Sequence, residues 1–412
     1  MKRFVLSRFF LSLIAVLALT VSFGTAAQGV IEKSNPDNSP GIEKSNLRKI
    51  VVFEKRVPES IQASIVRKHG ASVIKPLKLI NAQVVMLPTA AAEQAKQALL
   101  RQGEVKRIDD DVILSILPKP ANPGKGKNKG SQPSQELGWG PNRIDSEIAN
   151  AKGITGAGVK VAVLDTGIST SHPDLSVSGG INIINPAKSY NDDNGHGSHC
   201  AGIIAALNNN IGVIGVAPNA SLYAVKIVRR NGSGYLSDAI NGIAWSINNG
   251  MHVMSMSFGT PENVPSFHDA IGAAYANNIT MVAAAGNDYG GPVHYPAAYP
   301  EVIAVSATNQ WDKLAGFSNK GNEIELAAPG TNIHSTYKGS SYETLNGTSM
   351  ACPHVAGTVA LVRSSGRASS INSIRNILAA SADDLGAPGR DIYFGYGLVD
   401  AEEAATGAQT NP

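Results

Sequence analysis

Cysteine is almost missing: 412 residues contain two, Cys200 and Cys352. That excludes a disulfide framework for an exported chain. Charge is also scarce, at 16% against 43% hydrophobic residues, which excludes a disordered polymer and describes a globular protein with a large core. A second long apolar run is lacking as well. The first, in residues 1–27, opens with Lys2, Arg3 and Arg8, has an apolar centre over 9–21 and ends on Thr25-Ala26-Ala27. It reads as a secretory signal, because its apolar centre is short for a membrane anchor and no further span follows. The net charge of +3 hides an imbalance: residues 134–412 carry 14 Lys+Arg against 22 Asp+Glu, and residues 1–133 carry 21 against 10. Signal and linker supply part of that excess, so no nucleic-acid partner is implied.

The organising stretch is residues 346–357, Asn-Gly-Thr-Ser-Met-Ala-Cys-Pro-His-Val-Ala-Gly. Small residues bring the backbone close to a neighbour and present the Ser349 hydroxyl as a helix begins, with Thr348 or Asn346 as the expected cap. A serine hydroxyl needs a base, and the base needs a carboxylate to orient it. Residues 159–167, Val-Lys-Val-Ala-Val-Leu-Asp-Thr-Gly, form an apolar strand ending on Asp165. Residues 194–202, Asn-Gly-His-Gly-Ser-His-Cys-Ala-Gly, put His196 at the start of a small-residue helix. Singly, each of the three has a plain structural role as a turn former, helix start or cap. Together, in the order Asp165, His196, Ser349, they make a nucleophile, a base and its orienter.

In identity, order and local setting these three blocks resemble the subtilisin-like serine proteases (subtilase family). The resemblance implies a secreted serine endopeptidase of broad specificity, made as a self-processing zymogen. It also implies an α/β fold: a three-layer domain with a mostly parallel central sheet, preceded by a small α+β propeptide. The expected boundaries are a signal peptide over 1–27, a propeptide over 28–117 (folded over 47–117), a Pro/Gly/Lys linker over 118–133 and a catalytic domain over 134–412. Two rival readings are a catalytically silent member of the fold acting as a binding module, and an α/β-hydrolase esterase. The first needs a broken triad, and the second needs Ser before Asp before His; the sequence has neither. A cysteine-protease reading fails because neither thiol stands where its motif makes a group reactive. The two cysteines read as small core residues, with a disulfide between their helices as the alternative.

Strand and helix patterns alternate from Ser134 onward, with candidate strands at 159–164, 222–227, 252–257, 279–284 and 302–306. The resemblance assigns Asn287, after Ala283-Ala284-Ala285-Gly286, as oxyanion donor beside the Ser349 N–H. It makes Gly232-Ser233-Gly234 and Ser257-Phe258-Gly259 the two edges of a cleft that takes substrate as an added strand. Ala284, Gly286 and Phe258 would line a roomy apolar primary pocket. His294 falls at its floor, where the family usually has a small residue, a departure that bears on pocket size and charge preference.

By the same resemblance one tight Ca2+ site uses the carbonyls of Leu207, Ile211 and Val213 with the side chains of Gln135, Asp174 and Asn209. A second, weaker cation site is implied near Ala297, Tyr299 and Val302, with Glu325 close by. The propeptide would speed folding of a slow, non-local topology and block the cleft until cut. Leu117 would precede the cut, yet Pro118 follows it, so processing falls either there, inside the linker or near Ser134. The expected partners are protein and peptide substrates and the chain's own propeptide as an intramolecular inhibitor. Neither a stable membrane anchor nor an oligomer is expected. His172, His199 and His354 are expected to be structural.

Overall fold

Alternate residues of β1 (Arg48–Phe53) belong to two different cores. The computed structural model describes residues 47–116, the backbone of 119–120, and 132–410. The expected signal, the polar leader after it and most of the linker lie outside these residues. Of β1, Val51 and Phe53 pack with Val66, Ala95 and Leu99 from the helices Glu59–Lys68 and Ala92–Leu100. Ile50 and Val52 face the other way, into a core shared with the rest of the chain. Period-two alternation thus lets one sheet serve two interiors.

That sheet is antiparallel where β1 meets β3 (Ala82–Met86) and β4 (Val105–Asp110), and β2 (Ser72–Leu77) completes the order β2-β3-β1-β4. With the helices Glu59–Lys68 and Ala92–Leu100 it makes a small α+β unit ahead of the larger sheet.

The larger part has a seven-stranded sheet, parallel throughout. Its strands are β7 (Lys160–Asp165), β8 (Val177–Asn182), β9 (Ser221–Lys226), β11 (Val253–Met256), β13 (Thr280–Ala284), β14 (Val302–Thr308) and β15 (Ile324–Pro329). Their order is β15-β14-β13-β11-β7-β9-β8. The two edge strands escaped the sequence reading: β8 holds Gly179-Gly180, and β15 carries Glu325 and ends on Pro329. Val161 and Val163 of β7 point to one core, with the helices His196–Ala205 and Thr348–Ser364. Ala162 and Leu164 point to the other, with the helices Leu236–Asn248 and Pro265–Ala276. Helices on both faces cover a sheet whose strands read as continuous apolar runs.

Among the described residues no helix is long and apolar enough to cross a membrane. Cys200 and Cys352 are both buried free thiols, so the disulfide alternative is not realised.

Candidate active site

Strand β7 delivers Asp165 at its carboxyl end, the edge where parallel α/β sheets place ligands. The Asp165 carboxylate accepts the N–H of Thr166 at 2.7 Å and meets His196 Nδ1 at 2.8 and 2.9 Å. His196 is the first residue of its helix. The next residue has to be glycine, since a Cβ on Gly197 would lie 2.2 Å from the Gly167 carbonyl oxygen and 3.0 Å from Asp165 Cβ. Asp192, which the sequence reading passed over, fixes this turn. Its carboxylate accepts from Thr166 Oγ1, from the N–H groups of Asn194 and Gly195, and from Ser198 N and Oγ. An Asp a few residues before a helix start is a capping signal that could have found it.

Ser349 is the second residue of the helix Thr348–Ser364 and is fully buried. Neither Thr348 nor Asn346 caps that helix as expected: Gly347 is the cap residue, and the Asn346 side chain takes the Asn332 N–H instead. Thr348 has another role. Its N–H and hydroxyl both donate to Asn287 Oδ1 at 3.0 Å, and its hydroxyl also accepts the Gly286 N–H. The Asn287 carboxamide is thereby fixed with its Nδ2 buried and unpartnered among the described residues. Gly286 has φ +115°, and a Cβ there would strike Asn319 Nδ2 at 2.2 Å, so this turn admits only glycine.

The Ser349 hydroxyl donates to the Ser257 carbonyl at 3.1 Å, and His196 Nε2 has no partner among the described residues. Serine and histidine are nonetheless adjacent. Cys200 Sγ, 4.0 Å from His196 Nδ1, is 3.5 Å from the Ser349 carbonyl oxygen. Burial alone would lower the basicity of His196; the Asp165 carboxylate outweighs it and holds the ring well above its ordinary value. Burial instead drives His199 down to about 3 and His354 down to about 4, leaving two neutral rings bonded to backbone carbonyls. Both are structural, as expected.

The two expected cleft edges form, and a strand of the chain itself lies between them. β5 (Ile113–Ile116) pairs antiparallel with β10 (Ser233–Tyr235) on one side and β12 (Phe258–Gly259) on the other. The Ile116 N–H donates to the Gly232 carbonyl at 3.0 Å. Further on, the backbone of β6 (Lys119–Pro120) pairs with Leu345 and Asn346 of the strand Tyr342–Asn346, which leads into Ser349. Residues 117 and 118, where the cut was expected, fall between these strands and outside the described residues. Phe258 contributes backbone, while its side chain joins the core instead of a pocket wall. His294 lies beside Gly286, 3.2 Å from where a Cβ on that glycine would stand.

The candidate calcium residues also converge. Asp174 is fully buried, accepts Val213 N–H at 3.0 Å, Asn209 Nδ2 at 3.1 Å and Tyr342 Oη at 3.2 Å, and has its carboxyl pushed up to about 6 by burial. The Gln135 amide reaches the carbonyls of Leu207 and Val213 at 2.7 and 3.4 Å, and Ser134 forms a backbone bridge with Ile211. The carbonyls of Leu207, Ile211 and Val213, the Asp174 carboxylate and, with the amides turned over, the side-chain oxygens of Gln135 and Asn209 would offer a hard cation oxygen ligands. The second site does not fit. Glu325 is held by both Arg375 Nε (2.9 Å) and Nη2 (2.5 Å), and Arg375 Nη1 donates to the Pro300 carbonyl at 2.7 Å. The guanidinium supplies the positive charge assigned to a metal, a replacement made by a residue 50 positions away and illegible in local spacing.

Residues 156–397 match the model of the subtilase family. The chain belongs to the subtilase family. Over 271 residues this subtilase is 48% identical to Subtilisin Savinase of Lederbergia lenta, covering 66% of the chain and 99% of the relative. It is 49% identical over 348 residues to the Thermostable alkaline protease of Halalkalibacterium halodurans, covering 84% of the chain and 90% of the relative. The Alkaline protease of Alkalihalobacillus alcalophilus is 49% identical over 271 residues, 66% of the chain and 70% of the relative. As a subtilase with these relatives the protein is a serine endopeptidase, and the silent-module alternative is not favoured.

Proposed function

We propose that this subtilase is exported, made as an inactive precursor and matured by its own active site. The domain plan is signal 1–27, propeptide 28–117, linker 118–133 and catalytic domain 134–412. Ser349 attacks the scissile carbonyl, His196 takes its proton and hands it to the leaving amine, and Asp165 holds the ring and stabilises its charge. Asn287 Nδ2 and the Ser349 N–H receive the oxyanion. In support, the His196–Asp165 pair is formed, His196 Nε2 and Asn287 Nδ2 are free of other partners among the described residues, and Cys200 Sγ touches both His196 and the Ser349 carbonyl.

The observation that carries the zymogen reading is β5 lying between β10 and β12 as a substrate would. Recognition through backbone pairing tolerates many sequences, hence broad specificity. Gln135, Asp174, Leu207, Asn209, Ile211 and Val213 would hold one calcium ion, whose charge would balance the buried Asp174 carboxylate and tie its loop down. Wild type and Ser349→Ala precursors, analysed by intact mass and on a peptide library, test the proposal. Wild type should mature and Ser349→Ala should persist uncut; spontaneous maturation of the variant would refute self-processing.

A further inference from the structure

Lys226 is a buried cation with no part in the chemistry described so far. It is the last residue of β9, and the parallel register sets it beside Asp165, the last residue of β7. Its side chain is 6% exposed. An ammonium has three protons to give and nothing to accept with, so a buried one needs three acceptors. Nζ finds them at the Thr166 carbonyl (2.5 Å), Asp193 Oδ1 (2.8 Å) and the Val228 carbonyl (3.2 Å).

Two of these acceptors belong to the frame around the Asp165–His196 pair. The register of β7 with β9 ends at Asp165, so the Thr166 carbonyl lies past the last ladder pair, and the lysine takes it instead. The rest of Thr166 is committed to the segments that carry the carboxylate and the imidazole. Its N–H donates to Asp165 Oδ1 at 2.7 Å; its hydroxyl accepts the Gly197 N–H and donates to Asp192 Oδ1, each at 2.9 Å. The Asp165 carbonyl is held by the N–H groups of Ile227 and Val228, at 2.9 and 3.1 Å. Asp193 follows Asp192, whose carboxylate fixes the turn into the His196 helix. One ammonium thus ties the peptide next to the carboxylate to the turn that delivers the imidazole.

We infer that Lys226 is a positioning residue, which sets Asp165 against His196 Nδ1 by fixing Thr166 between their two segments. This rests on the triad assignment above. Lys226 acts through Thr166 and Asp193, not on the substrate. Displacing a reacting group by about 1 Å costs on the order of 10²-fold in rate, so a small turn of the Thr166 peptide is enough to matter.

The test replaces Lys226 with Met, which keeps a long stem and removes the donors, and with Arg, which keeps the charge. In mature Lys226→Met, kcat should fall roughly 10- to 100-fold. KM should change less than about threefold, the mark of a group that does not bind substrate. Lys226→Arg should recover part of the loss. The Nδ1 proton of His196, which resonates far downfield when a carboxylate holds it, should move upfield in Lys226→Met. A lower melting temperature with kcat and that resonance unchanged would make Lys226 a structural residue only and overturn the inference; a loss carried by KM would overturn it too. If Lys226→Met does not mature, the resonance is read in precursors carrying Ser349→Ala with and without Lys226→Met, and an unchanged position overturns the inference. Undiminished hydrolysis by Ser349→Ala alone would instead sink the triad assignment.

Discussion

The carboxylate of Asp109 accepts the Ser266 N–H at 3.0 Å together with the Ser266 hydroxyl, across 157 positions of sequence. Ser266 is the second residue of the helix Pro265–Ala276, whose own cap residue, Val264, has no side-chain acceptor to offer. Asp111 does the same for Ser237, taking N–H and hydroxyl at 2.8 Å each, at the start of the helix Leu236–Asn248, where Tyr235 is the cap residue. The N-terminal unit therefore finishes two helices of the larger domain. Asp111 also pairs with Arg48 at 2.6 Å, a largely buried contact.

Replacing Asp109 with Ala in the propeptide should weaken its inhibition of the mature enzyme by roughly 5- to 30-fold, the worth of one or two lost cap bonds. Asp111→Ala should cost more, since it strands the Arg48 guanidinium against a buried surface. Inhibition constants for the three propeptides against one enzyme preparation would rank them.

Ser349→Ala should abolish hydrolysis to within about 10⁴-fold of the uncatalysed rate. Asn287→Ala should lower kcat by roughly 10²–10³, the cost that losing the oxyanion asparagine has in a subtilisin. Steady-state kinetics on mature enzyme would check both, with unchanged KM for Asn287→Ala as the sign of a transition-state role.

His196 must be neutral to act as base, and Asp165 favours its charged form. The acid limb of kcat/KM should therefore lie above about 6.5, the ordinary imidazole value. In Asp165→Asn the limb should move to lower pH while the plateau falls about 10⁴-fold. A pH–rate profile of each protein decides this, and a limb at or below the ordinary value in wild type would contradict it.

Native Asp174 gives up its proton near pH 6, whereas an unfolded aspartate does so near about 3.9. Without a cation the native state binds more protons than the unfolded chain across that window. Stability then falls as pH rises from about 4 to about 6 and stays level above. A cation beside the carboxylate offsets the loss. Chelation should thus lower Tm strongly above pH 7 and little below pH 5, and Asp174→Asn should flatten the dependence. Calorimetry with calcium and with chelator at both pH values would show it.

Arg375→Ala should cost roughly 3 kcal/mol by leaving Glu325 buried and unpaired. Added calcium should restore part of that stability in the variant and add none through this locus in wild type. Melting curves of the two proteins against calcium concentration separate these outcomes.

The sequence was most legible where function depends on local order. Asp165 at a strand end and His196 and Ser349 at helix starts follow from short runs whose geometry is set within a few residues. The apolar strands of the central sheet follow likewise, since burial on both faces leaves a continuous hydrophobic signature. What stayed hidden is what distant chain segments bring to one another. Thr348 steadies Asn287 from 61 positions away, and Arg375 fills the place reserved for a second metal. The Ser349 hydroxyl turns to the Ser257 carbonyl for the same reason: no spacing rule reports a rotamer. His294 was placed by position, but only the structure set its Nε2 against Asp288.

The two borrowed helix caps have an effect on how long the enzyme lasts. If the N-terminal unit is cut away and digested, as maturation requires, the mature molecule keeps a shape whose helix starts it can no longer complete unaided. Each opening then becomes a one-way event. Working lifetime would be governed by the height of the barrier to opening, and not by an equilibrium the enzyme could revisit.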